Sequence, residues 1–203
     1  GWIGQLREDV TLGVSWSSKI ETGTFDDYAG LFADRGGFDI PASYAAGISW
    51  TASPALTLAA DWQRIEYSGV GSVGNTLNLL FQGKPLGSDE GPGFGWSDVE
   101  VIKLGAVYAL NDEITLRGGV SHAEQPIPND QAFINILAPA VIEDHASVGA
   151  DWRTSLGEWT MSYTHAFEET VSGNGSIPMA FGGGEADLTM SQDILRFGWS
   201  NGF

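Results

Sequence analysis

The hydrophobic positions of this chain recur every second residue, not with the period of about 3.6 residues typical of a helix. Val10, Leu12, Val14 and Trp16 alternate with threonine, glycine and serine. The same alternation returns in segments 44–50, 56–62, 102–110, 114–120, 146–152, 159–167 and 195–203. Successive side chains of a strand point to opposite faces, so each segment predicts a β-strand with one apolar face. Residues 1–6 predict the end of one further strand.

Aromatic residues separate two interpretations of this alternation, a soluble sandwich and a membrane barrel. The apolar faces tend to end in an aromatic side chain: Trp16, Trp50, Trp62, Tyr108, Trp152, Trp159, Trp199 and Phe203. The opposite faces are rich in glycine, serine and threonine. Aromatic girdles at the two membrane interfaces are typical of outer-membrane barrels, which favours the barrel.

The connections between the predicted strands alternate between short and long. Short turns lie at 51–54, 111–113 and 154–157, and long segments run through 20–41, 68–95, 124–144 and 171–186. Short periplasmic turns and long extracellular loops are the layout of outer-membrane barrels. No continuous apolar stretch reaches the roughly 18 residues of a transmembrane helix, so a membrane-spanning form must be a closed barrel.

Charge excludes one class of function. The chain of 203 residues has 26 acidic and 9 basic side chains, a net charge of -17, which argues against nucleic-acid binding. Only 17% of the residues are charged, against about a quarter in average domains, so the charge must be concentrated, and many acids lie in the long segments. The absence of cysteine excludes disulfides and thiolate metal sites. No charged segment followed by an apolar one opens the chain, so no signal peptide is expected.

Several segments, taken in order, resemble the FadL family of long-chain fatty-acid outer-membrane transporters. The segments are 91–98 leading into 103–108, 116–120 followed by Gln125-Pro126-Ile127-Pro128, 135–139, 143–145, 165–168 and 182–187. Each motif is weak alone, and the ordered series is specific. It covers most of the chain from about Gly91 to Phe203, whereas the first ninety residues fit the layout less distinctively.

The resemblance implies an all-β, antiparallel transmembrane barrel. Family members look like a fourteen-stranded barrel with an N-terminal plug, and residues 1–203 would be one domain, the C-terminal part, with about eight strands present. The implied function is passive uptake of long-chain fatty acids or other hydrophobic compounds, with no enzyme activity, cofactor or metal. Outer-membrane lipid and lipopolysaccharide would surround a monomer. Burial of each methylene is worth about 0.8 kcal/mol, so a modest apolar groove is enough to hold an acyl chain.

Two apolar clusters in the long segments are candidates for substrate binding. Leu77, Leu80 and Phe81 are at helical spacing in the second long segment, and Phe133, Ile134, Ile136 and Leu137 form a similar cluster in the third. Exposed apolar patches usually mark contact with another molecule, which suggests a capture surface. Packing of the loops on one another is an equally good interpretation, and both can hold together.

Basic side chains on the inward phase of the strands are the second group of candidates. Lys103, Arg117, Arg153 and Arg196 could meet a fatty-acid carboxylate, or could pair with lumen acids such as Asp61 and Asp151. Pairing is the better prediction for any single one. In the FadL family the segment before the Pro-x-Pro motif often has two acids. In this chain the segment reads Ala123-Glu124, so any role that the two acids have in the family would rest on Glu124 alone.

Histidines and one glycine motif raise alternatives that the pattern disfavours. His122 and His165 have the outward phase and His145 the inward one, so we expect interfacial histidines and no metal site. A lipid-facing lipase would need a serine beside His165, and the outward neighbours are Tyr163 and Phe167. The glycines of 69–74 match the dinucleotide-binding pattern, but the preceding strand alternates and is not buried on both faces, which indicates a loop.

Two further interpretations are a small structural or adhesive barrel without transport and a porin for polar solutes. The first gains weight if eight strands close alone, because such barrels are filled by side chains. The second needs a wider, water-filled lumen than eight strands provide.

Overall fold

The computed structural model describes residues 1–201, which form one antiparallel sheet of nine strands in chain order. The strands are β1 (Trp2–Arg7), β2 (Val10–Ser17), β3 (Ala42–Ser53), β4 (Leu56–Glu66), β5 (Val99–Ala109), β6 (Ile114–Ala123), β7 (Asp144–Thr154), β8 (Gly157–Val171) and β9 (Leu188–Ser200). The eight predicted strands and the additional first one are therefore confirmed. The predicted end of the last strand, Phe203, lies outside the described residues.

Short turns and long loops alternate along the sheet, as predicted. Residues 8–9, 54–55, 110–113 and 155–156 form the short turns at one end. The four long loops at the other end are named here L1 (18–41), L2 (67–98), L3 (124–143) and L4 (172–187). Consecutive strands pair directly, so every long loop leaves and enters neighbouring strands, and the four loops are held side by side.

The strand register places the apolar positions together on one face. Trp50 pairs with Leu58, Tyr108 with Leu116, and Trp152 with Trp159. Large apolar side chains on this face are exposed, Leu104, Val148 and Phe197 among them. We call this the outward face, and the opposite one, with the glycine, serine and threonine positions, the inward face.

The sheet is open in the part of the chain that the structure describes. β1 pairs only with β2, and β9 only with β8. The strands therefore form a partial barrel, and the alternative in which eight strands close on themselves is not the arrangement found in residues 1–201.

All helices of residues 1–201 are short and lie in the long loops. They are α1 (Ala33–Gly36), α2 (Gly71–Gly74) and the 3-10 turns Asp26–Tyr28, Tyr67–Gly69, Leu77–Gln82, Asn129–Gln131, Ile134–Ile136 and Met179–Phe181. None of these helices has the length and apolar character needed to cross a membrane. The glycine motif at 69–74 begins in the 3-10 turn Tyr67–Gly69 and continues into the single turn α2 inside L2, which confirms that it is part of a loop.

A small apolar core joins the loops to the upper ends of β8 and β9. Ile127, Ala132 and Val141 of L3 pack with Val171 at the end of β8 and Leu188 at the start of β9, and Trp96 of L2 packs against them. Burial of such side chains is worth about 1.5–3 kcal/mol each. L3 is thereby fixed to the rim of the sheet, and it positions the other loops described below.

Candidate functional site

Two buried amides of L3 hold L2 and L3 together. Asn135 donates from Nδ2 to the carbonyl oxygens of Phe94 (2.7 Å) and Gln131 (2.9 Å), and its Oδ1 accepts the indole N–H of Trp96. Gln131 Oε1 accepts the backbone N–H of Leu77 at 2.8 Å. Both side chains are almost inaccessible to solvent, so these hydrogen bonds act in a dry environment.

Three phenylalanines from three different loops meet on top of this joint. Phe181 of L4 contacts Phe81 of L2, with ring centroids 6.3 Å apart, and Phe133 of L3, at 5.7 Å. Phe81 and Phe181 are each about half exposed (49% and 55%), and the neighbouring Met179 is 87% exposed. We call Phe81, Phe133, Met179 and Phe181 the loop surface. Such a concentration of exposed apolar side chains is typical of a contact site.

A cavity of about 330 Å³ opens beside the loop surface. Its walls include Leu77 and Phe81 of L2, Asp130 of L3, and Pro178 and Met179 of L4. None of its lining residues is basic, and Asp130 is the one acid among them. Acidic residues also outnumber basic ones in each long loop. The cavity thus has mixed walls, with Asn78, Asp130 and Ser176 beside the apolar side chains, and its surroundings are negative at longer range.

The structure divides the seven predicted loop residues between the surface and the interior. Phe81, Phe133, Ile136 and Leu137 are exposed or partly exposed, as are Leu80 and Ile134, whereas Leu77 is only 4% exposed and points into the loop interior. Ile134 lines a different small cavity with Phe32 and Phe94. Both interpretations of these residues thus apply to different members: loop packing describes Leu77, and an accessible surface describes Phe81 and its neighbours.

Sequence reasoning missed Phe181 and Met179. Their segment, Met179–Phe181, is one turn flanked by Pro178 and three glycines, without the repeated apolar spacing that drew attention to L2 and L3. Their relevance comes from contacts with residues about 50 to 100 positions earlier in the chain, and no local pattern encodes such a contact.

The basic residues predicted to face inward mostly have polar partners there. Arg117 Nη2 lies 2.5 Å from Asp151 Oδ2, and Thr160 donates a hydrogen bond to Asp151 Oδ1. The predicted pairing of an inward arginine with Asp151 is confirmed.

The other inward bases behave differently from one another. Lys103 is opposite Asp61 in the register but donates to Gln63 Oε1 at 3.2 Å, and Arg153 lies 3.4 Å from Glu158. Arg196 lines an inward cavity of about 450 Å³ with Arg117, and within residues 1–201 it makes no ion pair.

Glu124 and Asp98 stabilise the rim where L2 and L3 leave the sheet. Glu124 Oε2 accepts the backbone N–H of Glu100 at 2.9 Å, so its carboxylate is engaged with the start of β5. Asp98 accepts the backbone N–H of Ser68 and lies 3.3 Å from Arg64. Partial burial alone would raise the pKa of Asp98, but the hydrogen bonds from Ser68 and the charge of Arg64 outweigh it and lower the pKa.

The outward histidines each pair with an aspartate. His122 Nδ1 lies 2.9 Å from Asp144, and His165 Nδ1 lies 2.8 Å from Asp193. Within residues 1–201 no hydrogen bond joins His165 to a serine, and no cluster of three metal-ligating side chains occurs. The predicted outward phase of both histidines agrees with the strand register.

Several solved structures have a fold similar to that of this chain. The chain superimposes on the toluene transporter TodX of Pseudomonas putida with a TM-score of 0.64 at 17% identity, over 99% of this chain and 47% of that one. A FadL homologue of Pseudomonas aeruginosa gives 0.66 at 21% identity, over 96% and 49%. The monoaromatic hydrocarbon channel CymD gives 0.51 at 20% identity, over 81% and 45%.

The chain thus spans about half the length of these structures, consistent with a partial barrel. No curated protein matches this sequence at a significant level. Residues 1–172 match the model of the outer membrane protein transport protein family (OMPP1/FadL/TodX). The match extends over most of the chain, so the resemblance to FadL proteins is confirmed and the bacterial outer membrane is the location of this barrel. The chain belongs to the OMPP1/FadL/TodX family of outer-membrane transport proteins.

Proposed function

We propose that this protein takes up hydrophobic compounds by passive diffusion through the outer membrane, and that the loop surface is where they first bind. The observation that carries the proposal is the meeting of Phe81, Phe133 and Phe181 from three loops, beside a cavity that has no basic lining residue. A hydrophobic molecule that leaves water for such a surface gains about 25 cal/mol for each Å² of apolar area buried. Transport needs no covalent step, and the proposal includes no enzyme activity.

The charge around the loop surface bears on the kind of compound. A fatty acid has a carboxylate, which is bound best by a basic group or several N–H donors. The cavity beside Phe81 has no basic lining residue and includes Asp130, and the surrounding loops are acidic. A negative environment lowers the local concentration of anions. These features support small uncharged hydrophobic compounds as the preferred substrates at the loop surface.

Long-chain fatty acids remain the second candidate because of one observation on the inward face. Arg196 lines the inward cavity without an ion pair in residues 1–201, so its guanidinium is a possible contact for a carboxylate. The TodX and CymD structures are described as channels for toluene and for monoaromatic hydrocarbons. Aromatic hydrocarbons and fatty acids are therefore both to be tested.

The test is uptake by cells that lack their own transporters for these compounds and express the chain with any coding sequence that flanks it. Labelled toluene, oleate and glucose report on an uncharged hydrophobe, a fatty acid and a polar solute. We expect toluene to enter faster than in empty cells and glucose not to. Entry of glucose, or of none of the three despite correct insertion, would contradict the proposal. Entry of oleate but not toluene would refute the preference for uncharged compounds.

A matched pair of variants tests the loop surface itself. Phe181→Ser removes the ring that joins Phe81 and Phe133, and Phe25→Ser removes a phenylalanine of L1 with similar exposure (50% against 55%). We expect the first to slow toluene uptake several-fold at low concentration and the second to leave it unchanged. Equal effects of the two variants would mean that capture does not occur at the loop surface.

A further inference from the structure

The outward face of the sheet has a row of acid–base pairs along its loop end. Arg64 of β4 lies 3.4 Å from Glu100 of β5, and the pairs His122–Asp144 and His165–Asp193 follow on the next four strands. Each pair joins residues that are direct neighbours across two strands. Six consecutive strands thus contribute one residue each, and we call these six residues the polar belt.

The register shows that the polar belt runs as a regular line across the sheet. Between β5 and β6, the residue opposite His122 is Ile102, two positions from the belt residue Glu100. Between β7 and β8, the residue opposite His165 is Ala146, two positions from the belt residue Asp144. The belt therefore shifts by two residues at each step from one pair to the next. Strands of membrane barrels are tilted by about 35–45°, and a line of constant height must shift along the register in such a sheet.

The aromatic residues at the short-turn end shift in the same direction. Trp50 pairs with Leu58, two residues from Leu56, which pairs with Tyr108. On β6, Leu116 is opposite Tyr108 and Ile114 is opposite Trp152, so the aromatic line again shifts by two residues. The two lines are therefore parallel between β4 and β7, as expected of the two boundaries of one apolar band.

The change from polar to apolar side chains is abrupt beneath the belt. The next outward residues toward the short turns are Ile102 on β5, Val120 on β6 and Leu195 on β9, all exposed. Tyr108 lies eight positions after Glu100 on β5, and Trp152 lies eight positions after Asp144 on β7. At about 3.3 Å per residue and a tilt of about 40°, this is roughly 20 Å along the membrane normal, close to the apolar band of about 25 Å in outer-membrane barrels.

Side-chain hydrogen bonds support both boundaries. The indole N–H of Trp62 donates to Glu100 in the polar belt at 3.1 Å, and the hydroxyl of Tyr163 donates to Asp193. At the short-turn end, the indole of Trp50 donates to Asp9. Amphipathic aromatic side chains with an apolar body and a polar tip are typical of membrane interfaces.

We propose that the polar belt contacts the headgroup layer of the outer leaflet and sets the height of the sheet in the membrane. The partner is a lipid surface, because the belt ends directly at an exposed apolar face that the membrane covers. Each acid of the belt accepts a hydrogen bond from, or lies within 3.4 Å of, a nitrogen of its partner, so its carboxylate approaches the hydrocarbon with a polar partner in place. The long loops of outer-membrane barrels are extracellular, which assigns the belt to the outer leaflet.

Site-specific fluorescence quenching tests this height, and residues 1–203 contain no cysteine that would compete for the label. Asp144→Cys and Asp193→Cys lie in the belt, and Val148→Cys and Phe197→Cys are their controls four residues lower on the same strands and the same face. Each variant, expressed with any flanking coding sequence, is labelled with a small fluorophore. It is then reconstituted in phosphatidylcholine vesicles that contain a nitroxide either at the headgroup or at the middle of the acyl chain.

We expect headgroup nitroxide to quench the belt labels at least about twofold more than mid-chain nitroxide, and the reverse for the two controls. Stronger mid-chain quenching at both belt positions would place the belt in the hydrocarbon and overturn the proposal. Absence of quenching by either lipid would place it above the membrane and overturn it equally. The two strands are independent, so a variant that fails to fold on one leaves the comparison on the other.

Discussion

Asn135→Ala is the change with the largest effect that we expect in the loops. The Asn135 side chain is completely buried and makes three hydrogen bonds, to Phe94, Gln131 and Trp96. Each buried partner left without a hydrogen bond costs about 1–3 kcal/mol. Loss of all three hydrogen bonds should destabilise the contact between L2 and L3 by roughly 3 kcal/mol or more. Because 1.4 kcal/mol corresponds to a factor of ten, the equilibrium constant for separation of the two loops should rise about 100-fold.

Hydrogen–deuterium exchange of the inserted protein measures this opening directly. Peptides from L2 and L3 should exchange about 100-fold faster in the variant, and peptides from the strands should keep their protection, because the sheet does not depend on the joint. The matched control is Asn129→Ala in the same loop, because Asn129 is exposed and its side chain makes no hydrogen bond in the described residues. An increase below about fivefold in L2 and L3, or an equal increase in the control, would refute the reasoning.

Three other changes test the sheet and its loop end. Val148→Arg places a charge in the middle of the outward face and should destabilise the inserted barrel by about 2–4 kcal/mol in urea-induced unfolding, whereas Ser147→Arg on the inward face should cost much less. A double-mutant cycle of Arg117→Ala and Asp151→Ala should give a coupling free energy of about 0.5–3 kcal/mol in the same assay, because Arg117 is more than half exposed but Asp151 is almost fully buried. Asp98 has a lowered pKa, so its stabilising effect is complete at neutral pH and is lost as the pH falls below the ordinary aspartate value of 3.8. Protection of the Ser68 amide from hydrogen exchange should fall over the same pH range, because that amide donates to Asp98. Asp98→Asn should abolish this pH dependence.

The strands could be predicted from the sequence because their determinants are local. A period of two marks each strand, and a short turn such as 54–55 forces its neighbours to pair. With consecutive strands paired, the phase of one outward residue such as Trp50 fixes the phase of all the others. The outward histidines and the inward arginines followed from the same rule.

Partners within a face could be predicted only in part, because several residues are within reach of each long side chain. Asp61 is the direct cross-strand neighbour of Lys103, and yet the lysine donates to Gln63, two residues along the same strand. Arg117 forms its ion pair with Asp151, which is two residues from Gly149, the direct cross-strand neighbour of Arg117. Diagonal neighbours in a sheet lie within reach of long side chains, so the register limits the choice of partner without deciding it.

The loop surface depends on contacts that no local pattern contains. Leu77, Leu80 and Phe81 are at helical spacing, and the sequence gives no means to tell that Leu77 turns inward and Phe81 outward. That choice depends on Gln131, whose side chain accepts the backbone N–H of Leu77 and holds the start of the turn against L3. Phe181 joins the surface only because β8 and β9 bring L4 beside L3.

The position of the acidic residues explains how exposed aromatic side chains can persist on these loops. Acids exceed bases in every long loop, so we expect electrostatic repulsion between the loop ends of neighbouring copies. Repulsion of this kind does not act on an uncharged hydrophobic molecule, which can reach Phe81 and Phe181 freely. We therefore expect the same charge to favour uncharged ligands over anions at the loop surface. Screening by salt should weaken this selection, so oleate uptake should rise relative to toluene uptake as the ionic strength increases.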